Sequence, residues 1–561
     1  MPDHVLRGVL ISDFNIANLA GLLANESEEP VAEATAAPFG QTIPVLMDGD
    51  HEIWGGDPSF AVIWTRPEGV IESFQRLTGH QPETLDTVLR EVESYGALLL
   101  RVAARVRTVF VPLWTPALPL RGPGLLDLRP GVGLAAVLLQ MNLRLSEVCA
   151  EQSNIFLLDA QRWLLAAGRS AFNPTLWYMA KIPFSMEVFN EACRDIKSGL
   201  RGLSGRSRKL IIVDLDETLW GGIVGEAGWH QLRLGGHDPV GEAYLDFQRE
   251  LKTMRRRGVL LALVSKNDED VALEAIRSHP EMVLRTEDFV GWKINWEDKA
   301  QNIADLVADL NLGLDSVVFI DDHPTERARV RDALPDVLVP DWPEDPALFR
   351  SALLSLRCFD APALSREDMA RTELYAAEKR REALRRSVGS VDEWLRSLDI
   401  RVTVEVLNAG NLARTVQLLN KTNQMNLATR RLTEPELLTW AAVEGRRVWT
   451  FRVADRYGDA GLTGILGIDA RKDEAEITDF VLSCRVMGRK VEETMLSIAV
   501  HHARKLGLSR VIARYSATGR NRPCLKFFTE SGFRSEGPET FVWSVREAYR
   551  APACVQVERR S

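Results

Sequence analysis

Residues 211–222 read IIVDLDETLWGG. The aliphatic run Leu210 to Val213 has the composition of a buried strand. It ends on Asp214, a second carboxylate follows at Asp216, and Thr218 and the pair Gly221-Gly222 come next. A hydrophobic strand that delivers Asp-x-Asp-x-Thr into a loop suits an aspartyl-phosphate enzyme. Asp214 would attack phosphorus, and Asp216 would shuttle the proton. Mg²⁺ would screen the charge that keeps a carboxylate away from a phosphate.

Outward from this strand, an α/β rhythm runs to about Arg357. A helix from about Gly241 carries Tyr244, Phe247, Leu251 and Met254 on one face, and Gly258 stops it. A second strand, Val259 to Val264, ends in Ser265-Lys266-Asn267. A helix near Lys299 to Leu310 leads to a third, Ser316 to Ile320, which ends in Asp321-Asp322. All three polar clusters fall at the C-terminal ends of predicted parallel strands, where doubly wound sheets bind ligands. Alone, Asp-x-Asp is most often a loop or a helix cap; four parts in order argue for a site.

In that order and spacing the segment resembles the haloacid-dehalogenase (HAD) phosphatase superfamily. The resemblance implies that Thr218 and Ser265 donate to phosphate oxygens and that Lys299 stabilises the attacking carboxylate and the phosphoryl group. It implies a hard-oxygen Mg²⁺ site of an Asp214 oxygen, the Asp216 carbonyl and Asp321, with Asp322 bound directly or through water. Lys293 competes with Lys299, but Lys299 begins the helix leading into the Asp321 strand. His323, beside the acidic pair, reads better as a cap of the next helix than as a ligand.

The whole chain, 561 residues long, implies about three to four domains at roughly 150 residues each. Lys+Arg 69 against Asp+Glu 78 gives −9, which argues against a general nucleic-acid binder. Its six Cys lack CxxC spacing, which disfavours a zinc site or a disulfide framework and suits a reducing cytoplasm. The first residues lack the apolar core of a signal peptide, and no stretch of about 18 uncharged apolar residues predicts a membrane span.

Residues 1–196 read as an α/β domain with a parallel sheet. Its strands are predicted at Val5 to Ile11, Phe60 to Trp64, Thr108 to Leu113 and Ile155 to Leu158, with a helix over Pro82 to Arg105. Basic, Gly- and Ser-rich residues 197–209 read as a linker. Residues 210–360 form the HAD-like domain, and 361–400 a charged helical connector. The α+β domain spans 401–545, with strands near Val402 to Val406, Val448 to Val453, Gly464 to Ile468, Glu476 to Leu482 and Arg510 to Tyr515. Residues 546–561 read as a tail.

Longer strings narrow the resemblance: DETLWGGIVGE, SKNDED, NWEDKAQNI, FIDDHPTER, NKTNQMN and DFVLSCRVMGR. Together, over about Lys209 to Phe533, they look like the FkbH-like proteins, a HAD branch found with polyketide pathways. The resemblance implies an enzyme that takes 1,3-bisphosphoglycerate, removes phosphate and loads the glyceryl group onto a thiol. The group ends on the phosphopantetheine arm of an acyl carrier protein. Many members have Cys just before the SKN triplet, where this chain has Val264. Cys484 is the nearest thiol in a family string; it reads as a relay or as a small buried residue, and transfer straight to the carrier thiol is the other route. A plain phosphatase acting on a soluble metabolite, and a non-catalytic carrier-binding scaffold, are the alternatives.

Residues 401–545 resemble a GNAT acyltransferase. Arg485-Val-Met-Gly488-Arg489-Lys490 aligns with its R-x-x-G-x-G/A turn, which implies that Arg485, Gly488 and Arg489 hold a phosphate-bearing pantetheine. Lys490 stands where a small residue is usual. Asn420 to Asn426 reads equally as a channel wall or as a hydrogen-bonded turn. In the N-terminal domain Ser12-Asp13-Phe14-Asn15 resembles the nucleophile turn of SGNH hydrolases. Asp159 is followed by Arg162 where that family has His, so a degenerate hydrolase-like domain used for docking is expected.

Overall fold

The computed structural model describes residues 5–26, 29–116, 124–131, 133–362, 381, 384–385 and 388–560. The chain forms two compact units, 1–201 and 202–561.

In the first unit, β1 (Leu6–Ile11), β2 (Ala32–Ala36), β3 (Phe60–Ile63), β4 (Thr108–Pro112) and β5 (Ile155–Leu158) form a parallel sheet in the order β2-β1-β3-β4-β5. Every residue of β3 and β4 is buried, which is why these strands read as unbroken apolar runs rather than alternations. The edge strand β2, AEATA, has no large apolar residue and escapes a reading by hydrophobicity. Residues 197–209, expected as a linker, are helical as far as Leu203 within the helix Met186–Leu203. Their Gly and Ser content hides a buried face. Ile196 and Leu200 are interior, and the Lys197 ammonium donates to the carbonyls of Glu26 and Pro30. Gly199 belongs there because a Cβ would stand 2.8 Å from the Phe110 ring.

The second unit contains two sheets. In the first, β6 (Leu210–Val213), β7 (Leu260–Ser265), β8 (Phe289–Ile294) and β9 (Val317–Ile320) run parallel in the order β8-β7-β6-β9. Successive residues of β6 point to opposite faces. Ile211 and Val213 join Tyr244, Phe247 and Leu251 of the helix Pro239–Arg256, while Leu210 and Ile212 join Ile303 and Leu306 of the helix Lys299–Asp309. Both faces are therefore covered, and the strand ends alone are available for chemistry. The Gly-Trp-Lys interior of β8, FVGWKI, breaks the apolar run, so the sequence does not mark it as a strand.

The other sheet is mixed: β10 (Ile400–Val406), β11 (Met425–Asn426), β12 (Arg446–Asp455), β13 (Gly458–Arg471), β14 (Glu474–Leu482), β15 (Arg510–Arg514), β16 (Arg534–Ser535), β17 (Thr540–Ser544) and β18 (Val555–Arg559). It runs β16-β17-β15-β14-β13-β12-β10-β18 and gives the α+β architecture expected. β14 and β15 pair in parallel only over Glu474–Ile477; beyond it, Val481 and Leu482 pair with β11. The stretch expected as a tail supplies β18, which pairs in parallel with β10 through Ile400↔Val555 to Val404↔Arg559. Most of the expected connector lies outside the described residues. Its described end contains Arg381, whose guanidinium is bidentate on Asp455, and the helix Val391–Ser397. Among the described residues no helix is long and apolar enough to cross a membrane.

Candidate active site

β6 and β9 are paired with Val213 level with Ile320, so Asp214 and Asp321 leave the sheet side by side. Lys299, the first residue of its helix, sends its ammonium between them, 3.1 Å from Asp214 Oδ2 and 2.7 Å from Asp321 Oδ2. The helix start is fixed by Asp298, whose carboxylate accepts from Gln301 N. Burial lowers the Lys299 proton affinity, but Asp214 and Asp321 together more than reverse this, and the side chain stays an ammonium. Lys293 is instead paired with Asp309 at 3.1 Å.

Asp214, Asp321 and Asp322 offer carboxylate oxygens that all lie within 4.8 Å of one another. Asp214 Oδ1 is buried and has no hydrogen-bond partner among the described residues. A buried acceptor left like this costs on the order of 1–3 kcal/mol. Burial, then repulsion from Asp214, raises the pKa of both Asp321 and Asp322. Three carboxylates facing one ammonium leave an excess of two negative charges. Hard oxygen donors, an orphaned acceptor and that excess fit Mg²⁺.

Around this core, Thr218 is fully buried and donates to Asp322 Oδ1 at 3.1 Å, while its hydroxyl accepts from Asp322 N. Its observed contacts therefore hold the acidic loop. The backbone N–H of His323, at the cap position of the helix Pro324–Ala333, donates to Asp321 Oδ1 at 2.9 Å. Arg327 donates to the carbonyls of Asp321 and Asp322. Ser265 is buried at the tip of β7, and Asn267, two residues on, donates to Asp216 Oδ2 at 2.8 Å. Asp216 Oδ1 accepts from Trp220 Nε1 at 2.8 Å and from Val224 N at 3.0 Å. Burial raises the Asp216 pKa even against these three donors. The sequence places Asn267 in the polar cluster at its strand tip but gives it no role, and it does not single out Arg327, although that residue lies in the quoted string FIDDHPTER. Glu217 was missed as well. It adopts a left-handed conformation (φ 52°) and ties the loop together by accepting from Gly222 N and Tyr244 OH.

Cys484 is not part of this group. It lines a cavity with Lys209, Leu260 and Ser316, at the N-terminal ends of β6, β7 and β9 and so at the far end of the sheet from Asp214. Val264 is fully buried in β7. At the following turn, Arg485 Nε donates to Ser483 Oγ and Gly488 N donates to Glu492 Oε1 at 2.7 Å. Arg489, 2% exposed, is ion-paired with Asp455 at 3.2 Å. Lys490 adopts a left-handed conformation (φ 64°) and pairs with Glu493 at 2.6 Å. The Asn420 and Asn426 amides knit their own loop through Leu432, Thr422 and Thr429, while Asn423 and Gln424 line the cavity.

In the first unit, Ser12 Oγ accepts from Phe14 N, and Asp13 is held by Arg66 through N at 2.7 Å and Nε at 2.8 Å. Asp159 caps its helix by accepting from Gln161 N, and Arg162 reaches Asp195.

No family model matches the chain, and no curated protein matches it. Among solved structures, the spermidine N-acetyltransferase SpeG of Vibrio cholerae is 17% identical, with 26% of this chain and 94% of that one covered at a TM-score of 0.21. A GNAT-family acetyltransferase of Staphylococcus aureus is 7% identical over 26% of this chain and 99% of its own, at 0.21. The N-terminal part of the Bacteroides fragilis protein BF1531, which contains a phosphatase domain and is complexed with Mg, is 26% identical; the match covers 64% of this chain and 94% of that one at a TM-score of 0.59.

Proposed function

We propose that this chain is a Mg²⁺-dependent HAD-type enzyme that dephosphorylates 1,3-bisphosphoglycerate and loads the glyceryl group onto an acyl carrier protein for polyketide biosynthesis. The observation that carries the phosphoryl half is the Lys299 ammonium held between Asp214 and Asp321, with Asp214 Oδ1 unpartnered beside it. The likeness to a Mg-complexed, phosphatase-containing structure supports the same half. The acyl half is supported by the quoted strings and by the mixed C-terminal sheet.

Asp214, Asp321 and Asp322 would hold Mg²⁺, which supplies charge neutralisation at the transferring phosphoryl group. Lys299 orients the nucleophilic carboxylate, its ammonium 3.1 Å from Asp214 Oδ2. An Asp214 oxygen attacks phosphorus of the C3 ester; the P–O ester bond breaks, and the Asp216 proton passes to the leaving alkoxide. Water then attacks the phospho-aspartate, Asp216 takes its proton back, and the bond to Asp214 breaks to release phosphate. A raised pKa suits a group that both gives and recovers a proton. At the other end of the substrate the carrier thiolate attacks the C1 carbonyl. A C–S bond forms, the bond from carbon to the phosphate oxygen breaks, and a second phosphate leaves. No ATP is needed, because the acyl phosphate is already activated.

The full-length protein is incubated with Mg²⁺, 1,3-bisphosphoglycerate and a holo carrier protein, and the carrier is weighed by intact mass. A glyceryl adduct is expected. Released phosphate with an unmodified carrier would support the second reading, a phosphatase for a soluble metabolite, which the position of Cys484 away from Asp214 favours. Neither product would leave a carrier-binding scaffold.

A further inference from the structure

The resemblance of residues 401–545 places a phosphate-bearing pantetheine at Arg485, Gly488 and Arg489, and the protein's own groups already occupy that place. Gly488 N donates to Glu492 Oε1 at 2.7 Å, and Glu492 is 4% exposed. Its other oxygen, buried without a partner among the described residues, is one more acceptor, whereas a phosphate needs donors. Arg489 turns inward, to Asp455 at 3.2 Å and to the Arg485 carbonyl. Arg485 Nε donates to Ser483 Oγ at 3.2 Å, and Lys490 pairs with Glu493 at 2.6 Å. A helix N-terminus favours negative charge, and the helix Val491–Lys505 has Glu492 and Glu493 in its first turn. These carboxylates supply the charge that a bound phosphate would otherwise bring.

The neighbouring crevice is filled as well. β14 and β15 pair only as far as Ile477 and Ala513, and beyond that point they part. Parting strands expose backbone groups to which an extended chain can add itself as a strand. A pantetheine arm, extended and carrying amides, is such a chain. Here residues 425–427 take the place. Met425 and Asn426 pair with Leu482 and Val481 of β14, and Leu427 N donates to the Phe480 carbonyl at 3.1 Å. On the other side, Ser516 N donates to the Leu427 carbonyl at 2.9 Å. Asn521, fully buried, donates to the carbonyls of Asn426 and Ser516, both at 2.9 Å. The segment is thus stitched to β14 and to the chain that follows β15.

We infer that the C-terminal domain fills its own ligand site, with Glu492 in the place of a phosphate and residues 425–427 in the place of a pantetheine arm, and takes neither coenzyme A nor the arm of a carrier. The inference does not depend on phosphatase activity. Under the reaction proposed above, it leaves the Asp214 end as the place where a carrier thiol attacks.

Hydrogen exchange read by mass spectrometry tests it on the full-length protein at pH 8, with and without millimolar coenzyme A. Peptides covering 422–428, 484–494 and 514–518 should exchange at the same rates in both. A several-fold slowing of any of them by coenzyme A would overturn the inference. Glu492→Ala removes the acceptor of Gly488 N together with the charge. Its 484–494 peptide should exchange faster than that of the wild type. Inorganic phosphate, at ionic strength held constant with potassium chloride, should slow that peptide several-fold in the variant and leave it unchanged in the wild type. Phosphate that slows the wild-type peptide, or that fails to slow the variant's, would show that Glu492 does not hold an anion's place. If Glu492→Ala does not fold, the wild-type responses to coenzyme A and phosphate decide. None of these readings uses turnover, so an inactive phosphatase would leave the inference standing.

Discussion

Lys299 is the residue on which the acidic centre balances. It is 4% exposed and is ion-paired with two carboxylates at once. Lys299→Met would leave Asp214 and Asp321 facing each other, buried and repelling. Breaking a buried pair in this way costs about 3–5 kcal/mol. The variant should therefore melt well below the wild type in EDTA, and Mg²⁺ should raise its melting temperature more than that of the wild type. An equal Mg²⁺ shift in both proteins would show that the cation binds elsewhere. Asp214→Asn acts differently. The amide keeps the shape, and Lys299 keeps Asp321, so the circular dichroism spectrum and melting temperature should change little. Phosphate release should fall by about 10⁴-fold or more, because the nucleophile is gone. Turnover near the wild-type level would remove Asp214 from the mechanism. In the wild type, EDTA should abolish phosphate release and added Mg²⁺ restore it.

At the scale of elements, the helix Val491–Lys505 begins with a buried acid. Glu492 accepts from Gly488 N with one oxygen, and its other oxygen has no partner among the described residues. Burial pushes its pKa up to about 7, from an ordinary 4.5. A raised carboxyl pKa stabilises the fold while the group is protonated, and that contribution fades as pH rises from about 4.5 through about 7. The loss is on the order of 3 kcal/mol. Glu492→Gln removes the titration and still accepts from Gly488. Its advantage in melting temperature over the wild type should be larger at pH 8 than at pH 5; a difference that does not vary with pH would refute the assignment. The same turn marks where the sequence could be read and where it could not. β6, β7 and β9, whose apolar runs end in charged tips, are legible because burial on both faces and chemistry at the ends leave opposite signatures in adjacent residues. β2 and β18 are not, because these edge strands have few large apolar side chains, and β8 is not because Gly291 and Lys293 break its apolar run. Lys197 is misleading for a related reason: a basic residue beside Gly and Ser suggests a solvated linker, yet its ammonium is satisfied by buried carbonyls. Asn267 and Arg327 act through one or two hydrogen bonds, a role that leaves no periodic trace.

For the second unit as a whole, the sheet direction separates two chemistries. Parallel strands gather the acidic groups and Lys299 at their C-terminal ends, while Cys484 and the arginine-rich cavity lie at their N-terminal ends. A thiol relay at Cys484 would require the three-carbon intermediate to leave one end of the sheet and reach the other, a passage through water that an acyl phosphate survives poorly. Direct attack by a carrier thiol at the Asp214 end would avoid it. Cys484→Ala should therefore leave both phosphate release and the glyceryl adduct on the carrier unchanged, as read by phosphate assay and intact mass. If the adduct vanished while phosphate release continued, the glyceryl group would have to pass through Cys484, and the two ends of the sheet would be successive stations of one reaction.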